Sequence, residues 1–179
     1  TLVTNSDDFP SSKSFCRELI RLCPAVTTVV QNVNERQTNV ILGDKERVLS
    51  GPGIILDELC GLSFRISSKS FYQVNATQTE VLYRAAMDLA GFDGTQVAID
   101  AYCGTGTIGL CMASRGARVI GAEVIPAAVE NARDSAKRNH LSDECEFLCA
   151  DAGEAAAELA PLYLEIALDD AFYYLEYAV

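Results

Sequence analysis

Residues 97–109 read Val-Ala-Ile-Asp-Ala-Tyr-Cys-Gly-Thr-Gly-Thr-Ile-Gly, a short apolar run followed by a glycine-rich loop. Asp100 ends the apolar run. Gly104, Gly106 and Gly109 follow with the GxGxxG spacing that links a strand to a helix in dinucleotide-binding folds. Glycines let the backbone turn tightly and let a ligand approach closely. The stretch therefore predicts a strand, a ligand-binding loop and a helix in succession.

Two carboxylates narrow the choice of ligand. Glu123 ends the next predicted strand, near the distance at which such folds place an acid that binds both ribose hydroxyls. That position fits an NAD-binding oxidoreductase as well as a methyltransferase. Asp100 lies at the mouth of the loop, where a dinucleotide places its pyrophosphate, and each pair of like charges would cost ~4 kcal/mol there. S-adenosylmethionine has no phosphate and carries an ammonium and a sulfonium, so these residues favour S-adenosylmethionine over NAD.

The pattern from residue 71 onward alternates between helices and strands. Asn75 can cap a helix that Gly91 ends. The apolar stripe of this helix is predicted to comprise Val81, Leu82, Ala85 and Leu89. Strands are predicted at residues 97–100, 118–123 and 145–149, with helices at 107–114, from Pro126 onward and at 152–159. This order, with short links, predicts α/β architecture: an incomplete Rossmann-like parallel sheet covered by helices.

The first seventy residues have a different pattern. Ser11 or Ser12 can cap a helix that Pro24 ends. One hairpin is predicted from residues 26–33 and 39–42, and a second from residues 54–58 and 62–67 around Cys60-Gly61. We therefore divide the chain into a small hairpin-rich α+β segment, residues 1–70, and a ligand-binding α/β domain, residues 71–179.

Composition and charge exclude several classes of function. No apolar run among the 179 residues approaches the ~18 needed to span a bilayer, so we expect a cytoplasmic protein without a membrane partner. The seven cysteines include no CxxC pair, so neither a disulfide framework nor a metal site is expected. Cys145 and Cys149 are expected in the core. Residues 143–179 carry ten acidic residues and no Lys or Arg, which disfavours contact with nucleic-acid phosphates there.

The loop sequence also resembles that of a known family. Residues 100–110, Asp-Ala-Tyr-Cys-Gly-Thr-Gly-Thr-Ile-Gly-Leu, are similar to the D-x-Y-C-G-x-G signature of the RNA uracil-C5 methyltransferases, which make 5-methyluridine in bacterial ribosomal and transfer RNA. Residues 64–67 and 70–75 resemble the family's segment before the methyltransferase domain, and residues 30–34 and 38–43 resemble its β-rich segment. The resemblance implies a class I methyltransferase fold, S-adenosyl-L-methionine as cofactor, and an RNA substrate, with ribosomal RNA preferred.

The resemblance and the loop together predict a cofactor site. It comprises Gln73, Asp100, Tyr102, Gly104, Gly106, Thr107, Glu123 and Asp151. By resemblance, the Gln73 amide bonds the methionine carboxylate or a ribose oxygen, although a buried structural amide would look the same. Tyr102 either packs against the cofactor or belongs to the core. Asp151 either lies beside the adenine or caps the helix that follows it.

The chain departs from the family pattern in its last part. In the family, the fourth strand ends in Asp-Pro-Pro-Arg, and a later Ser-Cys-Asn-Pro segment supplies the cysteine that adds to uracil C6; neither occurs in this sequence. Asp169 follows an apolar run and is a candidate for that aspartate position. We expect a portion of a longer enzyme and assign no catalytic residue. Two alternatives stay open: a class I methyltransferase acting on another base or a small molecule, and a non-catalytic module that binds the cofactor or RNA.

Overall fold

The chain forms two small antiparallel or mixed sheets followed by a parallel sheet. The computed structural model describes residues 1–91 and 96–160; the candidate Asp169 lies outside them. The strands are β1 (Leu2–Thr4), β2 (Val29–Val33), β3 (Lys45–Ser50), β4 (Ile54–Leu59), β5 (Leu62–Ser67), β6 (Val97–Asp100), β7 (Arg118–Glu123) and β8 (Cys145–Cys149). The helices are α1 (Ser12–Leu22), α2 (Ala76–Ala90), α3 (Thr107–Ala113), α4 (Pro126–Arg138) and α5 (Ala152–Leu159).

The parallel sheet has the strand order β6-β7-β8. Val97 pairs with Arg118 and Asp100 pairs with Gly121, so β6 and β7 end side by side. β8 continues the sheet, with Glu123 of β7 paired to Cys149. The helices α3 and α4 make the two parallel crossovers. The predicted α/β architecture, a Rossmann-like parallel sheet preceded by a hairpin-rich segment, is confirmed.

One hydrophobic core joins the hairpin β4–β5 to the parallel sheet and its helices. Its larger buried members are Leu59, Phe64, Ile66, Tyr83, Met87, Leu110, Val129 and Phe147. Leu59 and Phe64 are completely buried, and both come from the hairpin. The hairpin therefore shares one hydrophobic core with α2, α3 and α4.

Polar side chains of α4 and of its C-cap residue Asn139 also pair with the backbone of β5. The backbone N–H of Ser63 donates to Asn139 Oδ1 (2.9 Å), and Asn139 Nδ2 donates to the Ser63 carbonyl oxygen (2.8 Å). The backbone N–H of Arg65 donates to Ser135 Oγ (3.0 Å), while its guanidinium lies 2.5 Å from Asp134. Because helix and hairpin share both core and hydrogen bonds, we propose that the hairpin belongs to the same domain as residues 71–160.

The first predicted hairpin has the wrong second strand. β2 pairs antiparallel with β3, residues 45–50, and not with residues 39–42. The side-chain amide of Asn34 donates to the carbonyl oxygens of Val40 and Ile41, which holds that segment as a loop. Asn32, buried in β2, exchanges two more hydrogen bonds with the backbone of Gly43. Side-chain hydrogen bonds therefore replace a strand ladder over residues 39–42.

Two helix predictions also need correction. Val81, Leu82 and Leu89 of α2 are exposed, and the buried face carries Thr79, Tyr83 and Met87 instead. The helix has apolar residues on two faces, and the face with Tyr83 docks because that ring fills the core. The helix α1 begins where predicted, but neither candidate serine forms a side-chain cap, since Ser11 adopts a left-handed backbone conformation.

Candidate functional site

The glycine-rich loop lies at the carboxyl ends of β6 and β7. The backbone N–H of Cys103 donates to the Ala122 carbonyl oxygen (2.9 Å), and that of Gly106 donates to the Cys103 carbonyl oxygen (2.7 Å). Gly106 then begins α3 as its N-cap. These bonds fold the loop back over the ends of both strands, which is where open α/β sheets bind their ligands.

The two glycines of the loop have different surroundings. Both adopt a left-handed conformation, with φ of 53° at Gly104 and 76° at Gly106. A Cβ atom at Gly106 would lie 3.0 Å from the Phe147 ring and 3.1 Å from Ala132, so this glycine packs against the core. A Cβ atom at Gly104 would meet no described atom within 4 Å. The loop is therefore open to a ligand at Gly104.

Asp100 places a buried carboxylate at the end of β6, where the loop begins, and a Cβ atom at Gly109 would lie 3.8 Å from its Oδ2 atom. Its Oδ2 atom is buried and has no hydrogen-bond partner among the described residues. The pKa of Asp100 is raised to about 6, chiefly by burial; a hydrogen bond from the Tyr102 backbone N–H opposes the rise, and the charge of Glu123 adds to it. An unpaired buried carboxylate is costly unless a cation or a donor joins it. A positively charged ligand would therefore be stabilised next to Asp100.

Glu123 is part of the loop's own structure. Its Oε2 atom accepts the backbone N–H of Gly104 (3.1 Å), and its Oε1 atom accepts the backbone N–H of Ile125 (2.8 Å). A carboxylate offers about four lone-pair sites, so Glu123 can accept ribose hydroxyls while it keeps both backbone bonds. The carboxylate thus orients the loop and faces the ligand from the next strand.

Thr107 is held by a residue that the sequence did not single out. Its hydroxyl lies 2.8 Å from the hydroxyl of Tyr83 on α2, and either atom can donate. Tyr83 is buried, and burial raises the pKa of its hydroxyl. Asn75, Thr79 and Tyr83 are spaced four residues apart, and this spacing could have predicted that they share one face of α2. The Tyr83–Thr107 pair fixes the start of α3 directly after the loop.

The other predicted residues lie at the surface. Tyr102 is 76% exposed, so it is not an ordinary core tyrosine. Gln73 is also exposed, which rules out a buried structural amide. Asp151 caps α5, with its Oδ1 atom accepting the backbone N–H of Gly153 (2.8 Å). Val124 and Ile125, which the sequence did not single out, follow Glu123 as exposed apolar residues.

Burial makes the cysteine of the loop a poor nucleophile. Cys103 is buried beneath the loop, and burial together with the charges of Asp100 and Glu123 raises the pKa of its thiol well above the ordinary range. Such a thiol stays protonated and is a poor nucleophile. Cys149, expected in the core, is exposed. Among the described residues, no group of three or more His, Cys, Asp or Glu side chains could hold a metal ion.

Within residues 1–91 and 96–160, no helix combines the length and the apolar character needed to cross a bilayer.

Comparisons with known proteins point to methyltransferases. A family described as a methyltransferase domain matches residues 98–176. An uncharacterized RNA methyltransferase of Lactiplantibacillus plantarum is 45% identical over 157 residues, which is 88% of this chain and 34% of that protein. One of Clostridium acetobutylicum is 42% identical over 158 residues, again 88% of this chain and 34% of the relative. The chain thus spans about a third of the length of the curated relatives it matches.

A solved structure supports the same fold. The tRNA (uracil-54, C5)-methyltransferase of Pyrococcus abyssi, in complex with S-adenosyl-L-homocysteine, superimposes with a TM-score of 0.63 and 25% sequence identity. The superposition covers 83% of this chain and 34% of that chain. The parallel sheet, its crossovers and the glycine-rich loop therefore have the fold of the class I methyltransferases.

Proposed function

We propose that this chain is the cofactor-binding portion of an S-adenosylmethionine-dependent RNA methyltransferase that acts on uracil C5. Three features support the proposal: the fold, the carboxylates around the loop, and relatives that are named RNA methyltransferases. The observation that carries the cofactor assignment is the buried Oδ2 atom of Asp100, which has no hydrogen-bond partner among the described residues and lies where β6 ends and the glycine-rich loop begins.

The cofactor of this portion is S-adenosyl-L-methionine. Its ammonium and sulfonium match the negative charge of Asp100 and Glu123, whereas the pyrophosphate of NAD would meet two carboxylates at close range. Gly104 leaves room for close approach, and Glu123 offers acceptors for the ribose hydroxyls. Tyr102 and the apolar pair Val124 and Ile125 offer exposed surface for the rest of the molecule. The cofactor supplies an electrophilic methyl group when bound.

The residues of the chain bind and orient the cofactor. Asp100 holds positive charge at the loop mouth, and Glu123 fixes both the loop backbone and the ribose. Thr107 pairs with Tyr83, which sets the position of α3. The family resemblance implies that Thr107 also contacts the cofactor. Gln73 and Asp151 are proposed contacts at the edge of the site, for the methionine or ribose and for the adenine respectively.

The preference for uracil C5 rests on the loop signature and on the similarity to the Pyrococcus enzyme, which is named for C5 of uracil-54 in transfer RNA. Uracil C5 is a weak nucleophile until a thiolate adds at C6, so the reaction needs a cysteine placed for that purpose. Cys103 is buried and its pKa is raised, so it is unsuited to that role. We therefore place the nucleophile elsewhere in a longer protein. We propose ribosomal or transfer RNA in the cytoplasm as the substrate, with ribosomal RNA suggested by the family resemblance alone.

The experiment is transfer of labelled methyl groups from S-adenosylmethionine to unmodified ribosomal and transfer RNA, followed by nucleoside analysis. It is run with this chain alone and with a longer gene product that contains it. We expect 5-methyluridine from the longer protein and no transfer by this chain. Labelling of another base, or of a small molecule only, would replace the proposal by its alternative. Turnover by this chain alone would show that the nucleophile is misplaced, and Cys103 would be replaced first.

A further inference from the structure

Two cysteines from distant parts of the chain meet beside a cavity. Cys60 lies in the turn between β4 and β5, and Cys111 lies in the middle of α3. Cys60 packs against the hydrophobic cluster that contains Cys111. Both line a cavity of about 280 Å³, together with Arg84 and Arg115. Neither thiol has a role in the cofactor site described above.

The fold holds both thiols in place. The backbone N–H of Cys60 donates to the Glu80 carboxylate of α2 (2.8 Å), and Cys60 adopts a left-handed conformation with φ of 55°. Cys111 is 1% exposed and belongs to the hydrophobic core, against which Cys60 packs. Cys60 is only partly buried and opens to the cavity. One thiol is therefore accessible to a small reagent, and the second lies next to it.

Cys103, Cys145 and Cys149 have no comparable arrangement. Cys145 and Cys149 lie four residues apart on one strand, which separates them by roughly 13 Å at ~3.3 Å per residue. A disulfide needs Cα atoms within about 7 Å of each other. Cys103 is buried beneath the glycine-rich loop. In the described part of the chain all seven thiols are free.

We propose that Cys60 and Cys111 are a site of reversible oxidation, at which a peroxide converts the two thiols into a disulfide. Hydrogen peroxide oxidises the Cys60 thiol to a sulfenic acid and is itself reduced, releasing one water. The sulfur of Cys111 then attacks the sulfur of the sulfenic acid, and the displaced hydroxyl leaves with the Cys111 proton as a second water. The balance is two thiols and one peroxide giving one disulfide and two waters.

The attack by Cys111 is the slower of the two steps, because a thiol whose pKa is raised is a weaker nucleophile, and Arg115 offsets part of that effect. Burial raises the pKa of the Cys111 thiol above its ordinary range, and the charge of Cys60 adds to the rise. The guanidinium of Arg115, which also lines the cavity, opposes that rise. The oxidised pair would tie the hairpin turn to α3, the helix that begins at the glycine-rich loop. Oxidation would therefore lock the hairpin onto the cofactor-binding unit.

The disulfide would close a loop of roughly 50 residues, and loops of that size stabilise by restricting the unfolded chain. For a chain of this length the expected gain is a rise of roughly 10 °C in melting temperature. The test treats the folded chain with hydrogen peroxide, alkylates the remaining thiols, and maps the peptides by mass spectrometry. We expect a peptide pair cross-linked through Cys60 and Cys111 that dithiothreitol separates.

Three variants make the result interpretable. Cys60→Ser and Cys111→Ser should each abolish the cross-link and the peroxide-dependent rise in melting temperature. Cys149→Ser, which removes an exposed thiol, should keep both. If Cys111→Ser fails to fold, Cys60→Ser alone tests the proposal. Cys60 lies in a turn and is only partly buried, so its replacement should leave the fold intact. Recovery of Cys60 and Cys111 as separate alkylated or overoxidised peptides, or a cross-link formed only in urea, would overturn the proposal.

Discussion

Replacing Asp100 with asparagine should stabilise the ligand-free chain at neutral pH while it weakens cofactor binding. The Oδ2 atom of Asp100 is buried without a partner among the described residues, and Glu123 adds like charge nearby. Asparagine keeps an acceptor for the Tyr102 backbone N–H but carries no charge. If the carboxylate serves to bind the cofactor, removing its charge should raise the stability of the ligand-free chain and lower the affinity for the cofactor.

The size of the effect follows from the pKa of Asp100. That pKa is about 6 in the folded chain and 3.8 ordinarily, so the folded chain binds the proton more tightly. Protonated Asp100 therefore contributes to the free energy of unfolding. That contribution is fully present below about pH 4 and is lost as the pH rises through about 6. At 1.36 kcal/mol for each pKa unit, the loss at neutral pH is about 3 kcal/mol. Asp100→Asn should recover up to about that amount, since asparagine does not ionise.

The assay is urea unfolding of both proteins at a series of pH values from about 4 to about 8. The stability difference between Asp100→Asn and the unchanged chain should grow over the lower half of the series and then level off. Asp143→Asn, at an exposed site, is the control and should stay within about 0.5 kcal/mol. Calorimetry should show that Asp100→Asn weakens S-adenosylmethionine binding by roughly 1.5–3 kcal/mol. A stability difference that does not change with pH, or a less stable variant at neutral pH, would refute the reasoning.

Three further substitutions test the loop and its support. Glu123→Ala should weaken S-adenosylmethionine binding in calorimetry by roughly 1.5–3 kcal/mol, because it loses the ribose acceptor and two backbone bonds of the loop. Gly121→Ala should lower the free energy of unfolding in urea by roughly 1–3 kcal/mol, because its methyl would lie 2.7 Å from Phe147 and 2.9 Å from Cys103. Asn139→Ala should lower it by roughly 1–3 kcal/mol, because it removes the Asn139 side chain that pairs with the hairpin backbone.

Each of the three has an outcome that contradicts it. If Glu123→Ala leaves both the affinity for S-adenosylmethionine and the melting temperature unchanged, Glu123 neither binds the cofactor nor supports the loop. An unchanged midpoint for Gly121→Ala would mean that the Phe147 ring moves aside at no cost. Lys137→Ala, an exposed neighbour on α4, is the control for Asn139→Ala, and equal effects of the two would show that the hairpin is not held by the helix side chains.

The sequence predicted the parallel sheet and the loop because their signals are local. Apolar runs that end in Asp100 and Glu123, each followed at once by a turn and a helix, specify β6, β7 and their crossovers without reference to the rest of the chain. The glycine spacing specifies the loop in the same way, and the two left-handed φ values agree with it. These elements need no knowledge of distant contacts.

The errors occurred where side-chain contacts, and not the local apolar pattern, decide the structure. Residues 39–42 have β-forming composition, but the side chain of Asn34 binds their carbonyl groups and β3 takes their place. The buried face of α2 depends on a partner in α3, since Tyr83 bonds Thr107 across two helices. Periodicity cannot choose between two apolar faces of one helix when neither neighbour is known.

A direct binding measurement compares S-adenosylmethionine, its demethylated product S-adenosylhomocysteine, and NAD on the same chain by calorimetry. The carboxylates of Asp100 and Glu123 predict saturable binding of the first two ligands and weaker or no binding of NAD. NAD binding more tightly than S-adenosylmethionine would contradict the assignment of the glycine-rich loop to a methyl donor.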